Sequence, residues 1–118
     1  MKKALAGKKQ VKSEYEPLSK LLSLLSSKWT ILILHRLHVE GPTRFGALRR
    51  KLGGVSTKTL TERLRHLESE RLISRHYEPT VPPQVTYSVT KRVLELDSVM
   101  IELDRIAERW YGAGRKPS

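Results

Sequence analysis

The chain has no cysteine, a single phenylalanine and no long apolar run, and two of these absences exclude whole classes of function. Without cysteine there are no disulfides, no thiolate nucleophile and no thiol-based redox sensor. The longest clean aliphatic run, Ile31 to Leu34, is far shorter than the roughly 20 residues that a transmembrane helix needs. Because the Lys-rich start has no apolar segment behind it, we expect no secretory signal and a soluble, cytoplasmic protein.

Acidic residues are scarce relative to basic ones. The 118 residues include 23 Lys and Arg but 12 Asp and Glu, which gives a formal net charge of +11 and a pI near 10.3. Such an excess favours a polyanionic partner, either nucleic acid or an anionic membrane surface. The length allows one small domain with a modest core, to which oligomerisation commonly adds buried surface.

Signatures of catalysis are missing as well. His35 and His38 form an H-x-x-H pair on a predicted helix, but no carboxylate or thiolate is spaced to complete a metal site. The sequence has no G-x-S-x-G motif, no paired-carboxylate site, no phosphate loop and no cofactor fingerprint. We therefore predict that the protein is not an enzyme and holds neither a metal nor a cofactor.

The sequence does contain a regular order of short helical segments. A Lys-rich flexible tail is expected over residues 1–16, and Pro17 can then open a helix at its first turn. That helix, about 17–25, has an apolar stripe with i, i+3, i+4, i+7 spacing, formed by Leu18, Leu21, Leu22 and Leu25. The segment KWTILILHRL predicts a buried central helix that ends at Gly41-Pro42.

The stretch GGVSTKTLTERLRHLE, residues 53–68, follows a predicted short strand (43–45) and a basic helix (45–52). Gly53-Gly54 makes a turn, and Ser56 or Thr57 caps the next helix. The core face of that helix consists of Leu60, Leu64 and Leu67, with Leu72 beyond it. A step of 100° per residue leaves an outward arc of Lys58, Thr59, Thr61, Glu62, Arg65 and His66. This polar arc suits the donors and acceptors of a DNA groove, although an arbitrary helix more often has a merely solvated face.

Two period-two runs flank EPTVPP and predict a β-hairpin with a proline-stiffened tip over residues 73–89. Thr90 is expected to cap a long last helix over about 91–111, before a flexible tail at 112–118. Its heptad-like seam is Val93, Leu96, Met100, Leu103, Ala107 and Trp110. The predicted fold class is mainly α with a small β-hairpin wing, a winged helix-turn-helix with extra N- and C-terminal helices at about 17–25 and 91–111.

Charge is divided unevenly between these units. Residues 44–92 contain 11 Lys and Arg against four acids, whereas residues 93–111 contain two Arg against five acids. The segment that contains the short helix, the polar arc and the hairpin is therefore positively charged as a whole. This context favours a DNA-reading helix over a merely solvated one.

These residues resemble the HxlR-type winged-helix transcriptional regulators, which are related in architecture to the MarR-like proteins. The family's Lys-Trp before an aliphatic helix is similar to Lys28-Trp29 here, and its Arg-Phe and Ser-capped helix are similar to Arg44-Phe45 and Ser56. The family's wing motif is similar to VPPQVTYSVT over residues 81–90. The resemblance covers about residues 17–110.

The resemblance implies a homodimeric DNA-binding regulator. Its first and last helices would form the dimer interface, the helix from Ser56 would enter the major groove, and the wing over 73–89 would approach the adjacent backbone or minor groove. Many members carry Cys-Pro where this chain has Glu16-Pro17, so thiol-based sensing of electrophiles is excluded here. Arg71 stands where a glycine is common after the recognition helix.

We therefore predict a homodimeric, sequence-specific regulator that binds double-stranded DNA at a pseudo-palindromic site and is associated with the nucleoid of a prokaryotic cell, without a membrane partner. Its half-sites are expected about one helical turn, ~10–10.5 bp, apart or a multiple of that. The candidates for reading bases are Thr57, Lys58, Thr59, Thr61, Glu62 and Arg65, the last reading bases or contacting phosphate. The candidates for the DNA backbone are Arg44, Arg49, Arg50, Lys51, Ser56, Arg75, His76 and Thr80. The candidates for the dimer interface are Leu18, Leu21, Leu22, Leu25, Leu96, Met100, Leu103, Ala107 and Trp110.

Two rival hypotheses use the same fold. A non-specific architectural or RNA-binding protein would use the fold as a positively charged surface for nucleic acid. A protein-interaction module would bind a partner on the hairpin or last helix. The non-uniform polar arc favours the regulator, because a protein that coats nucleic acid needs little more than lysines. The sequence identifies no small-molecule effector, and a pocket for one between the dimer helices and the DNA-binding unit stays open.

Overall fold

A computed structural model describes residues 14–112 of the chain. Most of the two predicted tails, 1–16 and 112–118, lies outside this range, and only residues 14–16 and Gly112 of them are described. The first helix begins at Glu16, the last residue of the predicted N-terminal tail. The elements in chain order are α1 (Glu16–Leu24), α2 (Lys28–Glu40), β1 (Thr43–Arg44), α3 (Phe45–Leu52), α4 (Thr57–Ser69), β2 (Ile73–Glu78), β3 (Gln84–Val89), a 3₁₀ helix (Lys91–Leu96) and α5 (Asp97–Tyr111). The winged-helix order predicted from the sequence is confirmed.

The sheet has three antiparallel strands in the order β1-β3-β2. In the hairpin, Ile73 lies opposite Val89 and Glu78 lies opposite Gln84, so all six residues of each strand are paired. The two-residue strand β1 adds to the other edge of β3, with Thr43 opposite Tyr87. The sheet thereby attaches the wing to the start of α3 and fixes it beside the helix-turn-helix.

A single core lies between α2, α3, α4 and the sheet. The central helix α2 is capped by Ser27, whose side chain accepts a hydrogen bond from the Trp29 N–H at 3.2 Å. It ends at Gly41, where φ is +83° and a side chain would be strained. The buried apolar residues of the core are Ile33, Leu34, Leu37, Leu48, Val55, Leu60, Leu64, Leu67, Leu72, Ile73, Tyr87, Val93 and Met100.

The C-terminal segment differs from its prediction in three respects. Residues 91–96 form a 3₁₀ helix, and the α-helix begins only at Asp97. Thr90 does not cap this segment with its side chain, because its hydroxyl donates to the Arg71 carbonyl at 2.7 Å. The change from 3₁₀ to α geometry also divides the predicted heptad seam. Met100 is buried within the chain's own core and Leu96 packs against it, so neither is on an outward seam.

No helix within residues 14–112 is long and apolar enough to cross a membrane. Over the same residues, no group of three or more His, Cys, Asp or Glu side chains is arranged to hold a metal ion. His38 of the H-x-x-H pair instead contacts the start of α5, with its Nε2 atom 2.7 Å from Oδ1 of Asp97.

Candidate nucleic-acid interface

The helix α4 begins at a side-chain cap, and its position follows from its leucines. Ser56 has extended backbone angles, and its hydroxyl accepts a hydrogen bond from the Thr59 N–H at 3.0 Å. The preceding Gly53 and Gly54 have φ of +67° and +84°, which L side chains rarely adopt. Leu60, Leu64 and Leu67 are then buried, as the periodicity predicts. The remaining faces of α4 therefore point away from the core.

Those faces are not equivalent. One flank of α4, consisting of Thr57, Thr61, Arg65 and Glu68, lines a groove of about 550 Å³ that separates the helix from the wing. The opposite wall is formed by Arg75, Val85 and Tyr87 of the hairpin, and Phe45 at the start of α3 also lines the groove. Arg65 and Arg75 thus place a cation on each wall. Glu68 is a groove residue that sequence reasoning missed. Thr57, Thr61, Arg65 and Glu68 follow one another at steps of four, four and three residues, which places all four on one flank of a helix.

The outermost ridge of α4 consists of Lys58 and Glu62. The Lys58 side chain is 85% exposed and the Glu62 side chain 55% exposed, and their Nζ and Oε2 atoms are 3.9 Å apart. Thr59, placed on the outward arc by the sequence, is only partly exposed, and its N–H is occupied by the Ser56 cap. Of the six predicted base readers, five therefore lie on the ridge or on the flank that faces the wing, and Thr59 lies on neither.

The basic residues around α3 divide into two kinds. Arg49 donates from Nε to the Val55 carbonyl at 3.2 Å and so braces the turn between α3 and α4. Lys51 lies 3.8 Å from Glu40 at the end of α2. Arg44, on β1, and Arg50, on α3, are exposed. The predicted backbone contacts of Arg49 and Lys51 thus compete with contacts inside the chain.

The wing residues also have partners of their own. The Arg75 guanidinium lies 5.9 Å from the centroid of the Tyr77 ring, an arrangement that orients the cation. His76 lies 3.9 Å from the Glu78 carboxylate, and the Thr80 hydroxyl donates to the Pro82 carbonyl at 2.7 Å. The Thr80 bond shapes the wing tip, where Val81 is almost fully exposed.

The end of α4 is joined to the C-terminal segment by hydrogen bonds that the sequence did not predict. Arg71 adopts a left-handed φ of +62°, and the Leu72 N–H reaches the Leu67 carbonyl while the Arg71 N–H reaches that of Glu68. These two hydrogen bonds together are those of a Schellman cap, here with arginine at the position where glycine is usual. Beyond the cap, the Arg92 guanidinium donates a hydrogen bond to the Glu70 carbonyl at 3.1 Å, and the Thr90 hydroxyl donates one to the Arg71 carbonyl at 2.7 Å.

The predicted dimer residues lie on or beside α1 and α5, since Leu25 directly follows α1 and Leu96 ends the 3₁₀ helix that precedes α5. Leu18, Leu21 and Leu22 are exposed on α1, whereas Leu25 packs against the core. On α5, Leu103 and Trp110 are exposed, as are the apolar residues Val99, Ile101 and Tyr111. Ala107 is also exposed. The chain thus has an apolar surface apart from the α4–wing groove.

Comparisons with known proteins agree with this architecture. The profile of the HxlR-like helix-turn-helix family matches residues 24–115. A relative from Synechocystis, an uncharacterised HTH-type transcriptional regulator, is 43% identical over 94 residues, covering 80% of this chain and 69% of its own. The reduced form of the regulator YodB from Bacillus subtilis has a TM-score of 0.68 at 31% identity, over 84% of this chain and 96% of its own. A structure assigned to a MarR-family regulator from Porphyromonas gingivalis has a TM-score of 0.72 at 30% identity, over 92% of this chain and all of its own.

Proposed function

Because this chain belongs to the HxlR-like helix-turn-helix family of transcriptional regulators, and not to a family of enzymes, we propose that it acts as a homodimer on a pseudo-palindromic DNA site. In this proposal α4 enters the major groove of each half-site, and the wing contacts the flanking backbone or minor groove. The protein would then work at the nucleoid, in the cytoplasm of a prokaryotic cell.

The observation that carries the proposal is the groove between α4 and the wing. When a recognition helix is in the major groove and a wing approaches the next groove, one sugar-phosphate strand must pass between them. The groove has a cation on each wall, Arg65 from α4 and Arg75 from β2, against one carboxylate, Glu68, so its net positive charge suits a polyanionic strand. Exposed Arg44 and Arg50 extend the same positive surface from β1 and α3.

Contacts to the DNA backbone and to bases separate by position. The Thr57 and Lys58 N–H groups lie in the first turn of α4, where uncapped amides and the helix dipole favour a phosphate beside Ser56. The ridge of Lys58 and Glu62, with Thr57, Thr61 and Arg65 on the flank, projects far enough for base edges. We assign Thr59 a minor role, since it lies neither on the ridge nor on the flank that lines the groove.

Dimerisation would use the apolar residues that the single chain leaves uncovered. Leu18, Leu21 and Leu22 on α1 and Leu103 and Trp110 on α5 are all more than a third exposed. Exposed apolar surface of this kind marks protein contacts when it is contiguous. A second copy is the natural partner, because two-fold pairing also presents two α4 helices to one duplex.

Selection of bound sequences from random duplex DNA, at about 50 mM and 200 mM salt, tests the proposal. We expect a sharp inverted repeat at both salt concentrations. Arg65→Ala should weaken binding to that repeat by ~10-fold or more, whereas Arg109→Ala, an exposed arginine on α5, serves as the control and should not. A flat selection profile that depends only on salt would favour a non-specific binding protein, and unchanged binding by Arg65→Ala would exclude α4 as the reading helix.

A further inference from the structure

A carboxylate lies on the part of α4 that is most exposed to an approaching duplex. Glu62 is the single acid in the first two turns of this helix, within a segment (44–92) that has 11 basic residues against four acidic ones. Its side chain is 55% exposed, and Lys58 lies one turn earlier at 3.9 Å. Opposite a polyanion this charge is unfavourable unless a base compensates it.

The chemistry of a carboxylate restricts which base can do so. An ionised carboxylate only accepts hydrogen bonds, and the major groove offers donors only at cytosine N4 and adenine N6. Adenine N6 lies beside the N7 acceptor, which repels the second carboxylate oxygen, and guanine and thymine present acceptors at O6, N7 or O4. Cytosine alone presents an amino group without an acceptor on the same base edge in the groove.

We propose that Glu62 selects cytosine at one position of each half-site and that Lys58 reads a nearby guanine. Four residues of helix advance by about 6 Å, which is less than two base-pair steps of about 3.4 Å along a strand. The guanine and the cytosine therefore occupy neighbouring or next-but-one base pairs. This inference rests on the proposed function, in which α4 occupies the major groove.

The same charge lowers the affinity for all other sequences. At a site without cytosine, Glu62 meets acceptors, phosphates or, at adenine, a donor next to an acceptor. It also neutralises Lys58 at 3.9 Å. Glu62 therefore increases the discrimination between DNA sequences and lowers the affinity for non-specific DNA. Replacing it with the isosteric glutamine should thus move two measurements in opposite directions, which a merely structural role would not do.

The experiment compares the full-length protein with Glu62→Gln and Glu102→Gln. Glu102 is an equally exposed acid on α5, at 55%, and it pairs with Arg105 at 3.6 Å, so its variant makes the same change of charge away from α4. Each protein is used for sequence selection and for titration of a non-specific duplex at several salt concentrations. Sedimentation confirms that the oligomeric state is the same for all three.

We expect the wild-type protein and Glu102→Gln to require cytosine at one fixed position of each half-site. Glu62→Gln should lose ~10-fold of that discrimination, keep the other selected positions, and bind the non-specific duplex more tightly with a log–log salt slope steeper by about 0.9. A sharp inverted repeat whose base preferences are unchanged in Glu62→Gln would overturn this inference and leave the proposed function standing. A flat profile for the wild-type protein would overturn the proposed function itself.

Discussion

The helices α4 and α5 are of similar length, 13 and 15 residues, but they use their apolar side chains in opposite ways. In α4, all three leucines are buried in the chain's own core, and the outer faces are polar. In α5, only Met100 is buried, while Leu103 is 48% exposed and Trp110 is 70% exposed. Helix α4 thus has its packing completed within one chain, and α5 does not.

The charges follow the same division. The segment around α4 has a large basic excess, and residues 93–111 have five acids against two arginines. A surface for nucleic acid needs cations and no uncovered apolar area, whereas a surface for a second chain needs apolar area and little repulsion. Under the proposed function, this difference would assign DNA binding to the segment around α4 and pairing to α5.

The largest expected effect comes from removing a buried leucine of α4, and the same change at an exposed leucine of α5 is its comparison. Leu64→Ala should lower the free energy of unfolding by about 3 kcal/mol, because Leu64 is almost fully buried and leaves a cavity. Leu103→Ala, the same chemical change on α5, should lower the stability of the single chain by less than ~1 kcal/mol. Urea unfolding at several protein concentrations measures both, and equal losses that do not depend on concentration would erase the contrast between the helices.

A charge on the exposed face of α5 should give the next largest effect. Leu103→Glu should weaken dimerisation by roughly 100-fold, because pairing would bury an unpaired carboxylate, while the secondary structure stays intact. The control is Val39→Glu, the same kind of change at an exposed residue of α2. Sedimentation equilibrium decides the outcome: if Leu103→Glu dimerises as the wild type does, α5 is not the pairing surface.

Thr90 connects the two regions, and its loss should have a moderate effect. Its hydroxyl donates to Arg71 at the end of α4, and its N–H donates to the Leu72 carbonyl. Thr90→Val removes only the hydroxyl bond and should cost about 1 kcal/mol of stability, whereas Thr90→Ser should retain most of it. Hydrogen exchange at the Arg71 and Leu72 amides should accelerate in the valine variant. Identical exchange in both variants would show that the hydroxyl bond does not hold the end of α4.

These bonds also indicate how far sequence reasoning reaches. The bounds of α3, the Ser56 cap and the hairpin follow from local signals, namely glycine turns, hydroxyl caps and the change from helical to period-two spacing. Thr90 gives the same local signal as a helix cap, yet its partner lies 19 residues away. Met100 fits a seam by spacing, but its burial depends on how the 3₁₀ helix turns the segment before it.

The candidate site was predictable to the same extent. Helical spacing places Lys58, Glu62 and Arg65 outward, and it would also have placed Glu68 on the groove flank. Spacing does not reveal that Arg49 donates to the Val55 carbonyl or that Lys51 lies beside Glu40, because these contacts depend on how α2, α3 and the turn pack. Residue type alone therefore assigned both cations to DNA.

The smallest expected effect concerns the turn that ends α4. Arg71 has φ of +62°, a conformation that costs a non-glycine residue roughly 1–2 kcal/mol. Arg71→Gly removes this strain but gives the unfolded chain more freedom, so we expect a net gain of about 0.5 kcal/mol in the free energy of unfolding. Arg71→Ala controls for the lost charge and should give no gain, since it keeps the Cβ atom. Gly54→Ala, at φ of +84°, should lose stability for the converse reason. If Arg71→Ala stabilises as much as Arg71→Gly, relief of charge repulsion rather than backbone strain explains the gain.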